Sequence, residues 1–236
     1  MKRTIAGLLS ACTMLSLGAG SALADYDLRL IHTNDVHDRV ESVTKYNNTC
    51  SAEDDAEGKC FGGYGRLATA IRDARAEGGN VLVVDAGDQF QGSLYYSTYK
   101  GSLTAELMNL VDYDAMAVGN HEFDDGPDVL ASFIKKSLTP ILSANIEATT
   151  DGLNELIKPE TIITVGGERI GIVGLTTPET ADISSAGPNV KFNDLAQSLQ
   201  SSVDRLTAQG INKIVALSHS GSYADFEYVS DVTGVD

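Results

Sequence analysis

Val81-Leu82-Val83-Val84-Asp85-Ala86-Gly87-Asp88 decides the fold class. Four consecutive apolar residues, three of them β-branched, describe a strand buried on both faces, as the central strands of parallel sheets are. The run then breaks into a carboxylate, a glycine turn and a second carboxylate, at the strand end where open α/β sheets place their chemistry. Outward from it, residues 28–32 and 211–217 repeat the pattern of a short apolar run opening into a polar loop. Between these runs, residues 64–77 carry Leu67, Ala70, Ile71 and Ala74 on one helical face, and residues 103–111 and 193–208 are further helical stretches. The alternation predicts an α/β fold. Residues 162–165, the pair Gly166-Gly167 and residues 169–173 read as a hairpin, so an antiparallel portion accompanies the parallel one. No internal repeat, low-complexity tract or linker divides the chain after its leader.

The 236 residues are 42% hydrophobic and 21% charged, a globular balance that excludes global disorder. Lys and Arg number 17 against 33 Asp and Glu, for a formal charge of −16. Such a surface repels a phosphate backbone, so DNA and RNA polymers are poor partners. A small phosphorylated substrate would need its charge met by bound metal ions. Residues 1–24 read as a secretory signal, with Lys2 and Arg3 ahead of an apolar run and Ala22-Leu23-Ala24 before the expected cleavage. Leu9-Ser10-Ala11-Cys12 also resembles a lipid-attachment box, the lesser alternative. Residues 25–236 then form one domain with no membrane span, secreted or periplasmic. Cys50 and Cys60 remain as a pair in an oxidising compartment, bracketing an acidic, glycine-containing loop. A disulfide there would stabilise by about 2.5 to 3 kcal/mol; a thiolate metal site lacks further ligands nearby. Asn47-Asn48-Thr49 is a glycosylation sequon, relevant in a eukaryotic host.

Four strand-to-loop junctions end in metal-ligand residue types. Asp35-Val36-His37 offers a carboxylate and an imidazole that share a face if extended geometry persists. Asp88 follows the glycine turn after Asp85, and Asp85 itself reads as structural. Gly119-Asn120-His121-Glu122-Phe123-Asp124 supplies a neutral oxygen ligand, a histidine able to move a proton and an aspartate placed to orient it. His219, in Ser218-His219-Ser220-Gly221, closes the set. Each junction alone is compatible with a turn or cap; their ordered combination points to metal chemistry. Arg39 reads as a surface residue.

These motifs, with Gly87-Asp88-Gln89-x-Gln91-Gly92, Leu142-Ser143-Ala144-Asn145 and Gly171-Ile172-Val173-Gly174, resemble the calcineurin-like metallophosphoesterases and, within them, the secreted 5'-nucleotidases. The resemblance extends over nearly the whole chain after the signal. It implies a four-layer αββα sandwich with a dinuclear centre between sheet ends. Asp35 and His37 would hold one ion, Asn120 and His219 the other, and Asp88 would bridge both. His121, outside the metal shell and positioned by Asp124, would stabilise the transition state and serve as general acid. Zinc is the first choice of metal and manganese the second.

The same resemblance carries a departure. The family continues into another strand, a Gly-Gly-His motif and a C-terminal domain that stacks the nucleobase, whereas this sequence stops at Val232-Thr233-Gly234-Val235-Asp236. The expectation is an N-terminal portion of a longer enzyme, lacking the last strands of the sandwich and with impaired hydrolysis of nucleoside 5'-monophosphates. UDP-sugar hydrolases, cyclic-nucleotide phosphodiesterases and sulfur-oxidation thiohydrolases share the motifs and stand as alternatives. A catalytically silent metal-binding domain is the rival from outside the enzyme class.

Overall fold

A computed structural model describes residues 26–149 and 152–236. The expected signal segment and Cys12 lie outside the described residues.

Four strands form a parallel sheet in the order Arg29–Thr33, Val81–Asp85, Ala115–Ala117, Ile141–Leu142. Leu82, Val83 and Val84 are fully buried, as the unbroken apolar run requires. A second sheet places Glu168–Thr176 between Ile214–His219, paired parallel, and Glu160–Val165, paired antiparallel across Gly166-Gly167. The expected hairpin is therefore present, with longer arms than the sequence pattern marks. The strand expected over residues 211–217 begins three residues later, at Ile214, and carries His219 as its last residue. Ile214–His219 pairs on one side only among the described strands.

The two sheets pack face to face through Leu82, Val84, Ala115, Ala117 and Leu142 of the first against Ile170, Ile172 and Leu217 of the second. Helices Tyr64–Ala76, Ser102–Val111 and Pro127–Lys136 cover the outer face of the first sheet, burying Ile71, Met108, Leu130 and Phe133 with Val83 and Met116. Leu195–Ala208 covers the second, its Leu199, Val203 and Leu206 meeting Val173, Leu175 and Ile214. Helix, sheet, sheet, helix is the expected four-layer order. Asp194 caps that last helix by accepting from the Gln197 N–H at 2.8 Å, which explains its start at Leu195.

Cys50 and Cys60 are paired. The acidic stretch between them, read as loop, contains a short helix, Ala52–Ala56, because Ser51 caps it and Glu53, Asp54 and Asp55 occupy its first turn. Among the described residues no helix is long and apolar enough to cross a membrane.

Candidate metal centre

The first two ligand loops are stitched together through their backbones. The strand Arg29–Thr33 ends before the ligands, and Asp35, His37 and Asp38 take left-handed φ values of 52°, 50° and 49°. Extended geometry therefore does not persist, which corrects the face-sharing expectation. The loop instead coils, and its amides donate to the neighbouring loop. Asp35 N–H reaches the Gly87 carbonyl at 2.9 Å, His37 N–H the Asp88 carbonyl at 3.0 Å, and Asp38 N–H the Gln89 carbonyl at 2.8 Å. Buried Asp38 anchors the far end, accepting from Thr104 Oγ1 at 2.9 Å and Ser93 Oγ at 3.2 Å. The Arg39 guanidinium, expected at the surface, donates to the Gly92 carbonyl.

The second and third loops meet at two glycines. A Cβ on Gly87 would lie 2.6 Å from the Gly119 nitrogen, and one on Gly119 would lie 2.3 Å from Asp88 Oδ1. Any side chain at either position would force apart the loops that carry Asp88 and Asn120. Behind this contact stands Glu122, fully buried, with a carboxylate that accepts four backbone N–H groups: Gly119 at 2.7 Å, Asp88 at 2.9 Å, Gln89 at 2.8 Å and Phe90 at 3.2 Å. Burial, with the Asp88 charge, pushes the Glu122 carboxyl up to about 7. Beneath lies Asp85, also fully buried, which accepts from Thr33 Oγ1 at 2.5 Å, Gln89 Nε2 at 2.7 Å and Gly87 N–H at 3.0 Å. Burial raises it to about 7 as well, against those hydrogen bonds. Its structural reading fits this placement under the loop.

The side chains gathered above this base are Asp35, His37, Asp88, Asn120 and His219. His37 Nδ1 contacts the Phe90 carbonyl at 2.9 Å and His219 Nδ1 the Ala86 carbonyl at 2.7 Å, so each ring turns Nε2 into the centre. His219 Nε2 lies 3.2 Å from both Asp88 Oδ2 and Asn120 Oδ1, and His37 Nε2 lies 3.7 Å from Asp35 Oδ1. Burial lowers the His219 imidazole, but the hydrogen bond and charge of Asp88 outweigh it and bring it to about 9. Burial likewise works against a charged Asp88, and His219 with the His121 N–H overcomes it, leaving the carboxyl below its ordinary value.

Two donor groups emerge, Asp35–Asp88–His219 and His37–Asp88–His121, with the ligand atoms of each within 4.8 Å of one another. Asp88 belongs to both. Imidazole nitrogens with carboxylate and amide oxygens suit divalent transition metals, and the tautomers imposed by the two carbonyls are those that ligation requires, so the residues fit divalent ions. His121 stands at the edge of the second group, its Nε2 4.0 Å from Asp88 Oδ2 and its ring 5.0 Å from that of His37. Its Nδ1 lies 2.6 Å from Asp124 Oδ2. Burial lowers the His121 imidazole, and Asp124 and Asp88 overcome this, holding it above its ordinary value.

Sequence reasoning missed the supports. Glu122 was visible only as part of a motif, since nothing in a sequence shows four amides converging on one carboxylate. Gln89 is likewise buried, donating to Asp85 and accepting from the Tyr64 hydroxyl. Ser184, whose Oγ donates to Asp124 Oδ1 at 2.9 Å, follows no signal at all.

A 5'-nucleotidase from the venom of Gloydius brevicauda is 43% identical across 98% of this chain and 39% of its own length. The human 5'-nucleotidase is 41% identical across 96% of this chain and 40% of its own. The crystal structure of a 5'-nucleotidase precursor from Thermus thermophilus superposes with a TM-score of 0.79 at 41% identity, covering 88% of this chain and 40% of that one. The chain thus spans about two fifths of the length of these relatives. The family profile described as calcineurin-like phosphoesterase matches residues 28–236. A match over nearly all of the described residues makes this chain a member of the calcineurin-like phosphoesterase family.

Proposed function

We propose that this chain carries the metal centre and general acid of a secreted or periplasmic phosphomonoesterase that hydrolyses nucleoside 5'-monophosphates to nucleoside and phosphate. The observation that carries the reading is Asp88, shared by two donor groups, with the hydrogen-bonded pair His121–Asp124 beside it. The donor groups set Asp35 with His219 and His37 with His121, but the 3.7 Å Asp35–His37 and 3.2 Å Asn120–His219 approaches support a different sharing: Asp35 and His37 would hold one ion, Asn120 and His219 the other, and Asp88 both, with zinc preferred and manganese the alternative. Bound divalent ions supply Lewis-acid chemistry, offsetting phosphate charge and making a water more acidic.

The remaining steps belong to the chain. Asp124 accepts a hydrogen bond from the His121 Nδ1–H, which leaves Nε2 facing the centre, and Asp124 with Asp88 raises the affinity of this imidazole for a proton, as a general acid needs. In the reaction a water oxygen bonds to phosphorus as the ester P–O bond breaks. The Nε2 proton passes to the departing 5'-oxygen, and the imidazole is reprotonated from solvent. The 2.6 Å His121–Asp124 pair gives the site a group able to donate a proton to a leaving oxygen, which favours chemistry over storage. The relatives named 5'-nucleotidase support the substrate class.

The test is phosphate release from AMP with zinc or manganese present, by this chain and by a version extended to the length of its relatives. Metal-dependent release, faster in the extended protein and abolished by Asp88→Asn, is the expected outcome. Metal-loaded extended protein that releases no phosphate from AMP overturns the reading.

A further inference from the structure

We propose that Ser184 is a positioning residue for the general acid, setting the direction in which His121 delivers its proton; the inference rests on the hydrolase reading above. The Asp124 carboxylate has two partners. Oδ2 meets His121 Nδ1 at 2.6 Å, and Oδ1 accepts from Ser184 Oγ at 2.9 Å. A carboxylate held at one oxygen pivots about that contact and carries the imidazole with it. Held at both, its plane is fixed, and with it the aim of Nε2.

Ser184 lies 60 positions from Asp124 and is placed from the second sheet. As that sheet's central strand ends, Thr176 Oγ1 donates to the Val118 carbonyl at 2.6 Å, two residues before Asn120. Thr177 N–H then donates to the His219 carbonyl at 2.9 Å. Thr180, fully buried, turns back on Thr177 through Oγ1 at 2.7 Å, and Ser184 N–H closes the turn on the Thr180 carbonyl at 3.2 Å. One segment of nine residues therefore touches the approach to Asn120, the backbone of His219 and the side chain of Asp124. Through Ser184 it registers the proton donor, carried by the first sheet, against a ligand carried by the second.

The experiment uses Ser184→Ala, Ser184→Cys and Ser184→Thr in the zinc-loaded protein, extended to the relatives' length, with two esters. AMP has an alkoxide leaving group that needs a proton; p-nitrophenyl phosphate has one that departs as an anion. If Ser184 acts through the general acid, Ser184→Ala lowers kcat on AMP by about tenfold with KM nearly unchanged, and on p-nitrophenyl phosphate by less than about twofold. Ser184→Cys, a weak donor, falls between, and Ser184→Thr restores AMP turnover. In 15N-histidine-labelled protein, the His121 Nδ1–H resonance weakens in Ser184→Ala and returns in Ser184→Thr. Equal losses on the two esters, or an Nδ1–H resonance unaffected by removal of the hydroxyl, overturns the assignment. Wild-type protein that hydrolyses neither ester refutes the hydrolase reading instead, and the resonance alone then decides Ser184.

Discussion

The two halves of the centre are built by different means. The half on the first sheet is held by main chain. Three amides of the Asp35–Asp38 loop donate to carbonyls of the next loop, and four more converge on Glu122. The half on the second sheet adds a side-chain network to the end of its paired strand. His219 leans on the Ala86 carbonyl, and its flanking residues Ser218 and Ser220 donate to Asp225 Oδ1 at 2.7 Å and 2.5 Å, joined there by the Tyr228 hydroxyl at 2.8 Å. Backbone stitching around a buried carboxylate fails as a unit when the carboxylate goes, whereas a network of hydroxyls loses one bond at a time. The difference teaches where the centre is brittle and where it tolerates change.

The largest effect expected is at Glu122. Glu122→Ala strands four buried amides and should cost about 4 kcal/mol or more in urea unfolding, with loss of metal binding. A loss under about 1 kcal/mol would erase the contrast between the halves.

Next comes the joint between them. In metal-free protein the Asp88–His219 pair adds stability that is complete below the ordinary histidine value of 6.5 and is lost as pH rises through about 9. Asp88→Asn should abolish stoichiometric zinc binding in equilibrium dialysis and return the His219 resonance titration toward 6.5. A titration that stays near 9 would detach His219 from the first sheet.

A third measurement sharpens the account of the first half. Asp85 and Glu122 are both raised to about 7 by burial, so between about pH 4.5 and 6.5 the folded state holds protons that the unfolded chain has released. Stability of the metal-free protein should therefore fall as pH rises through that window, by at most about 2.7 kcal/mol per pH unit for two groups. Asp85→Asn should roughly halve that slope, and an unchanged slope would show that Asp85 stays ionised. The smallest effect belongs to the second half, where Tyr228→Phe removes one hydroxyl from Asp225 and should cost about 1 kcal/mol, leaving zinc stoichiometry intact.

The same division explains what could be read from sequence. Val81–Asp85 and the glycine pair at 166 and 167 announced themselves because burial on both faces and a tight turn each restrict residue type locally. The five candidate donors stood out because ligand chemistry admits few side chains, and the structure brings those side chains near one another. Their geometry was not: Asp35 and His37 converge through left-handed loop residues and contacts to residues 87–89, partners some 50 positions away. Glu122 and Ser184 act by hydrogen bonds to other parts of the chain, and a glutamate or serine that does this is spelled like one in solvent. The helix Ala52–Ala56 escaped notice because it buries no residue and rests on its cap alone.

The touching glycines, Gly87 and Gly119, bear on protein engineering. Residues 87–90 and 119–124 interlock so closely that neither can be grafted into a new scaffold, lengthened or shortened by a residue without its counterpart. Directed evolution of this centre should treat the two peptides as a single cassette and confine its libraries to the segments outside it.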